Sequence, residues 1–210
     1  MRGLIYKDFC LFFKSIDKKV ILIAIAAIIL LMAKAGVYSG LFASVMFSMA
    51  IGMQSIMSFS SDEKADWKRY QLAMPVNGYR AVASKYVSLI LILGISIAGS
   101  VIFSLFTCII HKDFDINLMG ISVMTAIIIF LGWMGICLPL TYWFGFRSAQ
   151  TIELIVVIPI FYLVKYFEDG PGISSLATSI NTYFLMGLIA SIVVFLVSFM
   201  ISVAGYSQKK

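Results

Sequence analysis

Apolar residues gather along the chain into six long runs, each followed by a short polar or turn-forming stretch. A helix needs about 20 mostly apolar residues to cross a bilayer. Residues 19–37, 38–59, 81–110, 118–144, 149–167 and 182–206 meet that requirement. They predict an all-α, polytopic membrane protein with six transmembrane helices in a single domain over 1–210. The first two runs adjoin and must turn tightly near "KAGVYSG". "HKDFDIN" joins the third to the fourth, and "EDGPGISSLATSIN" the fifth to the sixth, where Gly170, Pro171 and Gly172 enforce a break. Ahead of the first run, Ile5, Phe9, Phe12 and Ile16 recur at helical spacing with Phe13 alongside. Lys7, Asp8, Lys14, Asp17 and Lys18 make the polar face. Residues 1–18 are thus predicted as an amphipathic helix lying in the membrane interface, either a plain anchor or an elbow that moves with a partner.

The most polar interruption is "SSDEKADWKRYQLAMPVNGYR", residues 60–80, between the second and third runs. It holds seven charges, and at mid-bilayer each would cost about 3 kcal/mol, roughly 20 kcal/mol together. The segment must lie outside the hydrocarbon. It is also built as a helix over 62–74: good helix formers, no internal glycine or proline, and acidic residues in the first turn, where the helix dipole favours them. Ser61 is placed as N-cap, with Ser60 as the alternative. Pro75 stops the helix and Asn77–Gly78 makes a turn. The helix presents Trp67, Tyr70 and Leu72 with Lys68 and Arg69. Such residues are enriched at binding hot spots, and Trp and Tyr equally in the interfacial belt of any membrane protein, so docking and belt readings both stand.

Composition agrees with the bilayer as solvent. The chain is 61% hydrophobic and 12% charged, about half the charged fraction of an ordinary soluble domain. The net charge of +6 comes from basic residues set between apolar runs, which suits an anionic membrane surface better than nucleic acid. Arg2, Lys7, Lys14, Lys18, Lys19, Lys64, Lys68, Arg69, Arg80, Lys85, Arg147, Lys209 and Lys210 fall on one side of a six-span topology, and only Lys34, Lys112 and Lys165 on or near the other. That bias places both termini and 60–80 in the cytoplasm. Cys10, Cys108 and Cys137 lie in or beside apolar runs without metal-like spacing and read as reduced, buried thiols.

Other chemistry is sparse. His111, the single histidine, reads as a solvated residue of an outer loop rather than a metal ligand, since a metal site needs several ligands. H-E-x-x-H and G-x-S-x-G are missing, and so are paired carboxylates within a span. Neither a catalytic residue nor a metal site is predicted. Glu153 falls in the first turns of the fifth run near Arg147 and Gln150, where the helix dipole and the interface stabilise it. Ser48-x-x-x-Gly52, Gly94-x-x-x-Ala98 and Ser96-x-x-x-Ser100, with Gly132 and Gly135, carry small residues at the spacing of close helix packing. Pro139 and Pro159 lie inside spans, where they favour kinks.

The opener "MRGLIYKDFCLFFK", two spans, and then "F-x-x-D-E-K-x-x-W-x-x-Y-Q-L-A-M-P-V-N-G-Y-R-A-V-A-S-K-Y" resemble ABC-2 type transporter permeases. The likeness is greatest to the small six-span branch that includes exporters of amphipathic peptides such as phenol-soluble modulins. It covers nearly the whole chain and is most specific over 59–86, with Met74 where leucine is commoner. The resemblance implies that the helix between spans two and three is a coupling helix docking on a separate ATPase subunit. Asp62, Glu63, Trp67, Tyr70 and Pro75 would form it, with Lys68 and Arg69 beside them, and Arg147 would make a second, smaller cytoplasmic contact. It further implies a bacterial cytoplasmic membrane, a second permease copy or sister permease, and ATP and Mg bound by the partner, with no cofactor on this chain. Consistently, no G-x-x-x-x-G-K-[ST] occurs; "GYRAVASK" has Ala83 where the second glycine belongs. An aromatic- and Met-rich chain suits amphipathic or lipid-like cargo, although no motif selects one. Two other classes share the topology: an ATP-independent secondary transporter or channel, which would want more mid-membrane charge or an internal repeat, and a non-transporting scaffold or sensor.

Overall fold

A run of apolar residues long enough to cross hydrocarbon has to satisfy its own backbone there, and only a helix does so within one segment. The computed structural model describes residues 2–15, 39–64, 67, 78–111, 116–146 and 180–208. They form helices α1 (Arg2–Ser15), α2 (Ser39–Lys64), α3 (Gly78–His111), α4 (Ile116–Phe144) and α5 (Ile180–Gln208), with no strand among the described residues. Among the described residues, four stretches, Ser39–Asp62, Gly78–His111, Ile116–Phe144 and Phe184–Tyr206, are long and apolar enough to span a membrane. They correspond to the second, third, fourth and sixth predicted spans. The first and fifth fall outside the described residues, as do Glu153 and Pro159.

Contacts between the helices fix their directions. Ser39 meets Thr107, Ser44 meets Ser100 and Ser48 meets Ser96, so α2 and α3 are antiparallel. Phe59 stacks on Tyr142 while Gly52 faces Trp133, which makes α2 and α4 parallel. Gly135 faces Val194 and Gly205 faces Trp143, so α4 and α5 are parallel too. Helix α4 is central, packing against α2, α3 and α5. Its Phe130, Met134, Cys137 and Leu138 are almost completely buried. Helix α1 packs across the end where α2 finishes and α3 begins.

Hydroxyls in the bundle are satisfied mostly within their own helix. Ser55, Ser88, Ser122 and Thr141 each donate to the carbonyl four residues back, at 2.8 to 2.9 Å. Ser44 does the same toward Gly40 at 2.7 Å while accepting from Ser100 at 2.9 Å. This is how Ser and Thr enter a membrane helix without an orphaned polar group. Helix α4 stays helical through Pro139 to Phe144 and is followed by Gly145, whose φ of 87° is open chiefly to glycine. Its N–H bonds to Thr141 O at 3.0 Å, capping the last turn.

Several expectations are corrected. Ser61 is not an N-cap: α2 continues through it to Lys64, and its hydroxyl donates back to Met57 O at 3.4 Å. A helix does not stop where the hydrocarbon stops, so Asp62 and Glu63 continue α2 rather than opening a new helix. Trp67 is helical too, and the remainder of the predicted helix over 62–74 beyond Lys64 lies outside the described residues. His111 is the last residue of α3 and half-buried rather than a solvated loop residue. Of the small-residue pairs, Ser48, Ser96 and Ser100 do face a neighbouring helix. Gly94 and Ala98, by contrast, are exposed. Gly135 packs against α5, whereas a Cβ on Gly132 would meet nothing within 4 Å.

Candidate functional site

Charged groups are scarce here, and four of them are drawn into one place. Lys7 and Asp8 come from the second turn of α1, Asp62 from the last turn of α2, and Lys85 from the second turn of α3. Lys7 Nζ lies 2.6 Å from Asp62 Oδ1 and 3.5 Å from Asp8 Oδ1. Lys85 Nζ lies 2.8 Å from Asp8 Oδ1 and 3.0 Å from Asp62 Oδ2. The four thus form a closed ring of alternating sign, with each ammonium touching both carboxylates. Their side chains are 5 to 23% exposed, Asp8 least. Charges removed from water to this degree persist only when paired and hydrogen-bonded.

Aromatic rings complete the wall. Lys7 Nζ sits 4.3 Å from the centre of the Trp67 ring and Lys85 Nζ 4.5 Å from that of Phe59, both within cation–π range. Phe59 stacks edge-on against Tyr142 at 5.4 Å, and Tyr142 against Tyr206 at 6.3 Å. Together these residues line an open pocket of about 160 Å³ reached by all five helices, along with Leu4, Ala81, Ser84, Thr141 and Gly145. One layer deeper, the Tyr86 hydroxyl meets Ser198 at 2.7 Å and Ser202 at 2.9 Å, joining α3 to α5.

The site therefore ties α1, α2 and α3 together by charge and brings Trp67 to them. Of the predicted coupling residues, Asp62 is in the ring and Trp67 lies over Lys7. Glu63 belongs to the last turn of α2. Lys68, Arg69, Tyr70, Pro75 and Arg147 lie outside the described residues. Among the described residues, no group of three or more His, Cys, Asp or Glu is placed to hold a metal ion.

Three members of the ring, Lys7, Asp8 and Lys85, escape the sequence reading of the site. The amphipathic period put Lys7 and Asp8 on the polar face of α1, yet Asp8 is buried against the bundle, and it is Tyr6 and Phe13 that are exposed. One signal was available. A lysine a turn inside a span, as Lys85 is, requires a counter-charge, and acidic residues are few enough in this chain for Asp8 and Asp62 to be candidates. The separation of 55 and 77 positions between partners hid the pairing.

No curated protein and no solved structure matches the chain significantly. A family model described as "ABC-2 family transporter protein" matches residues 3–207, which takes in all but the end residues Arg2 and Gln208 of the five helices and every residue of the charged ring. With its bundle of membrane-length helices, the chain belongs to the ABC-2 transporter family.

Proposed function

We propose that the chain is the permease subunit of an ATP-driven ABC exporter of the small six-span branch, moving an amphipathic or hydrophobic cargo that includes peptides. The family match over nearly the whole length carries this reading. Two permeases, identical or sister chains, pack with two ATPase subunits that bind ATP and Mg. Residues 60–80 form the coupling segment, made up of Asp62, Glu63, Trp67, Lys68, Arg69, Tyr70 and Pro75, with Arg147 as a second contact. ATP-driven closure pushes this segment, which tilts α2 and α3. Such work reaches the membrane only if the docking contacts differ between the two states.

Six spans with cytoplasmic termini fit the helix directions. The parallel neighbours α4 and α5 call for an intervening crossing, and the sequence offers one apolar run between them, 149–167. The end that gathers α1, the close of α2 and the start of α3 is also where the basic residues concentrate. With the three native cysteines replaced, Arg80→Cys, at the exposed start of α3, is expected to react with an impermeant maleimide only from inside the cell membrane. Ile116→Cys, 71% exposed at the start of α4, is expected to react only from outside. The reverse pattern overturns the orientation.

The functional test is assembly. Purified in mild detergent, the chain is expected to bring an ATPase subunit with it. Trp67→Ala is expected to lower the ATPase activity of that assembly about tenfold, in the range usual for coupling between sites, with membrane insertion unchanged. Wild-type activity in Trp67→Ala removes the docking role, and transport by the chain reconstituted alone favours an ATP-independent carrier.

A further inference from the structure

Lys7 stands apart in the ring because it touches α1, α2 and the tryptophan at once. Its ammonium lies 2.6 Å from Asp62 on α2, 3.5 Å from Asp8 on its own helix, and 4.3 Å from the centre of the Trp67 ring. Lys85 reaches both carboxylates but lies over Phe59 instead. Trp67 comes three residues after the end of α2 at Lys64. The contact from Lys7 fixes it from a second helix. Helix α1 is in turn seated by Asp8 on Lys85 and by Phe12, which is buried in the core.

We propose that Lys7 is a positioning residue that holds Trp67 and Asp62 to α1, so that displacement of the 60–80 segment is passed to α1 as well as to α2 and α3. This rests on the coupling role given to that segment above. The ring makes the link stiff. Each ammonium bridges two carboxylates, so α1 cannot slide along α2 and α3 without separating buried charges of opposite sign. Lys7 is also the member whose removal leaves each carboxylate with a close ammonium contact, although one ammonium then serves two carboxylates. Without it, Asp8 keeps Lys85 at 2.8 Å and Asp62 keeps Lys85 at 3.0 Å. Its loss therefore weakens the hold on Trp67 without stranding a carboxylate.

Cys10, expected from its apolar surroundings to be a buried thiol, is instead exposed on α1 one turn beyond the ring and offers a reporter. The experiment uses the full chain with its co-purifying ATPase subunit in lipid nanodiscs, with Cys108 and Cys137 replaced by alanine. Maleimide labelling of Cys10 is timed without nucleotide and after trapping with ATP, Mg and vanadate, so no cargo is needed. In the wild-type ring, trapping is expected to change the labelling rate about tenfold. Lys7→Met is expected to abolish that change while the ATPase subunit stays bound. Lys7→Arg restores it, because a guanidinium reaches both a carboxylate and an aromatic face. Combining Lys7→Met with Trp67→Ala costs the assembly's ATPase activity no more than the larger single change, as expected of two groups acting through one contact.

A nucleotide response of Cys10 that survives Lys7→Met overturns the inference and leaves the permease reading intact. So does equal loss in Lys7→Met and Lys7→Arg, since the second keeps both contacts. Failure of the wild-type chain to bind any ATPase overturns the permease reading itself.

Discussion

Lys85→Ala is expected to release α1 from the bundle, at a cost of about 3 to 5 kcal/mol, the usual penalty for breaking a buried pair from one side. Lys85 bridges Asp8 and Asp62. Once it is gone, the two carboxylates share Lys7, at 3.5 and 2.6 Å, and the Asp8 side chain, 5% exposed, has little water to turn to. Hydrogen exchange in nanodiscs reads the effect directly. Amides of residues 2–15 are expected to lose protection by two orders of magnitude or more, each factor of ten being about 1.4 kcal/mol, while α4 keeps its own. The double variant Asp8→Leu with Lys85→Met is expected to be milder than Lys85→Ala. It removes a matched pair and leaves Lys7 and Asp62 joined at 2.6 Å. Replacing a buried ion pair by apolar residues is often neutral, whereas halving it is not. Unchanged protection of 2–15 in Lys85→Ala shows that apolar packing through Phe9 and Phe12 suffices to seat α1. A double variant as damaging as the single shows that the ring acts as one unit rather than as two pairs.

The contrast between what the sequence disclosed and what it hid has a physical origin. Spans are legible because hydrocarbon imposes both a length and a composition. The runs at 81–110 and 118–144 correspond to helices Gly78–His111 and Ile116–Phe144. The mismatch is largest at the end of α2, where hydropathy stops at Phe59 and the helix goes on to Lys64. Hydropathy measures the membrane, and the backbone has no reason to break at its surface when Ser60 to Lys64 are tolerable helix residues. Asp62 and Trp67 were found as candidates because charge and tryptophan are conspicuous among apolar neighbours. Lys7 and Asp8 are visible in the period of α1, which turns Asp8 the wrong way. A helical period divides apolar from polar faces without saying whether water, lipid or a counter-charge lies beyond. Asp8 faces inward because Lys85 is there to receive it, a fact of the tertiary fold alone.

The α2–α3 hairpin is where the proposed lever is rooted, and Gly40 is expected to be one of its most sensitive single sites. Three hydroxyl contacts cross this interface: Ser39 to Thr107 at 3.3 Å, Ser44 to Ser100 at 2.9 Å, and Ser48 to Ser96 at 2.7 Å. They invite the conclusion that hydrogen bonds hold the hairpin. Yet interhelical hydroxyl bonds in membrane proteins average only about 0.6 kcal/mol, because a hydroxyl that loses its partner turns to its own helix. Ser48→Ala is therefore expected to cost under about 1 kcal/mol. Gly40 is different in kind. A Cβ placed there meets Thr107 Oγ1 at 2.9 Å and the Ser104 Cα at 3.3 Å. The second is backbone, so no rotamer relieves it, and a larger side chain must push the helices apart along their length. Gly40→Leu is expected to cost about 3 kcal/mol or more, beyond the usual range for overpacking, because separation also forfeits the Ser39–Thr107 contact. The comparison is made by thermal unfolding in detergent, with the ATPase activity of the assembled complex measured alongside. If the hairpin is held by close approach, Ser48→Ala stays near wild type in both measurements, and Gly40→Leu loses both. If Ser48→Ala proves the more damaging of the two, the hydroxyls and not the approach of the backbones define this pair.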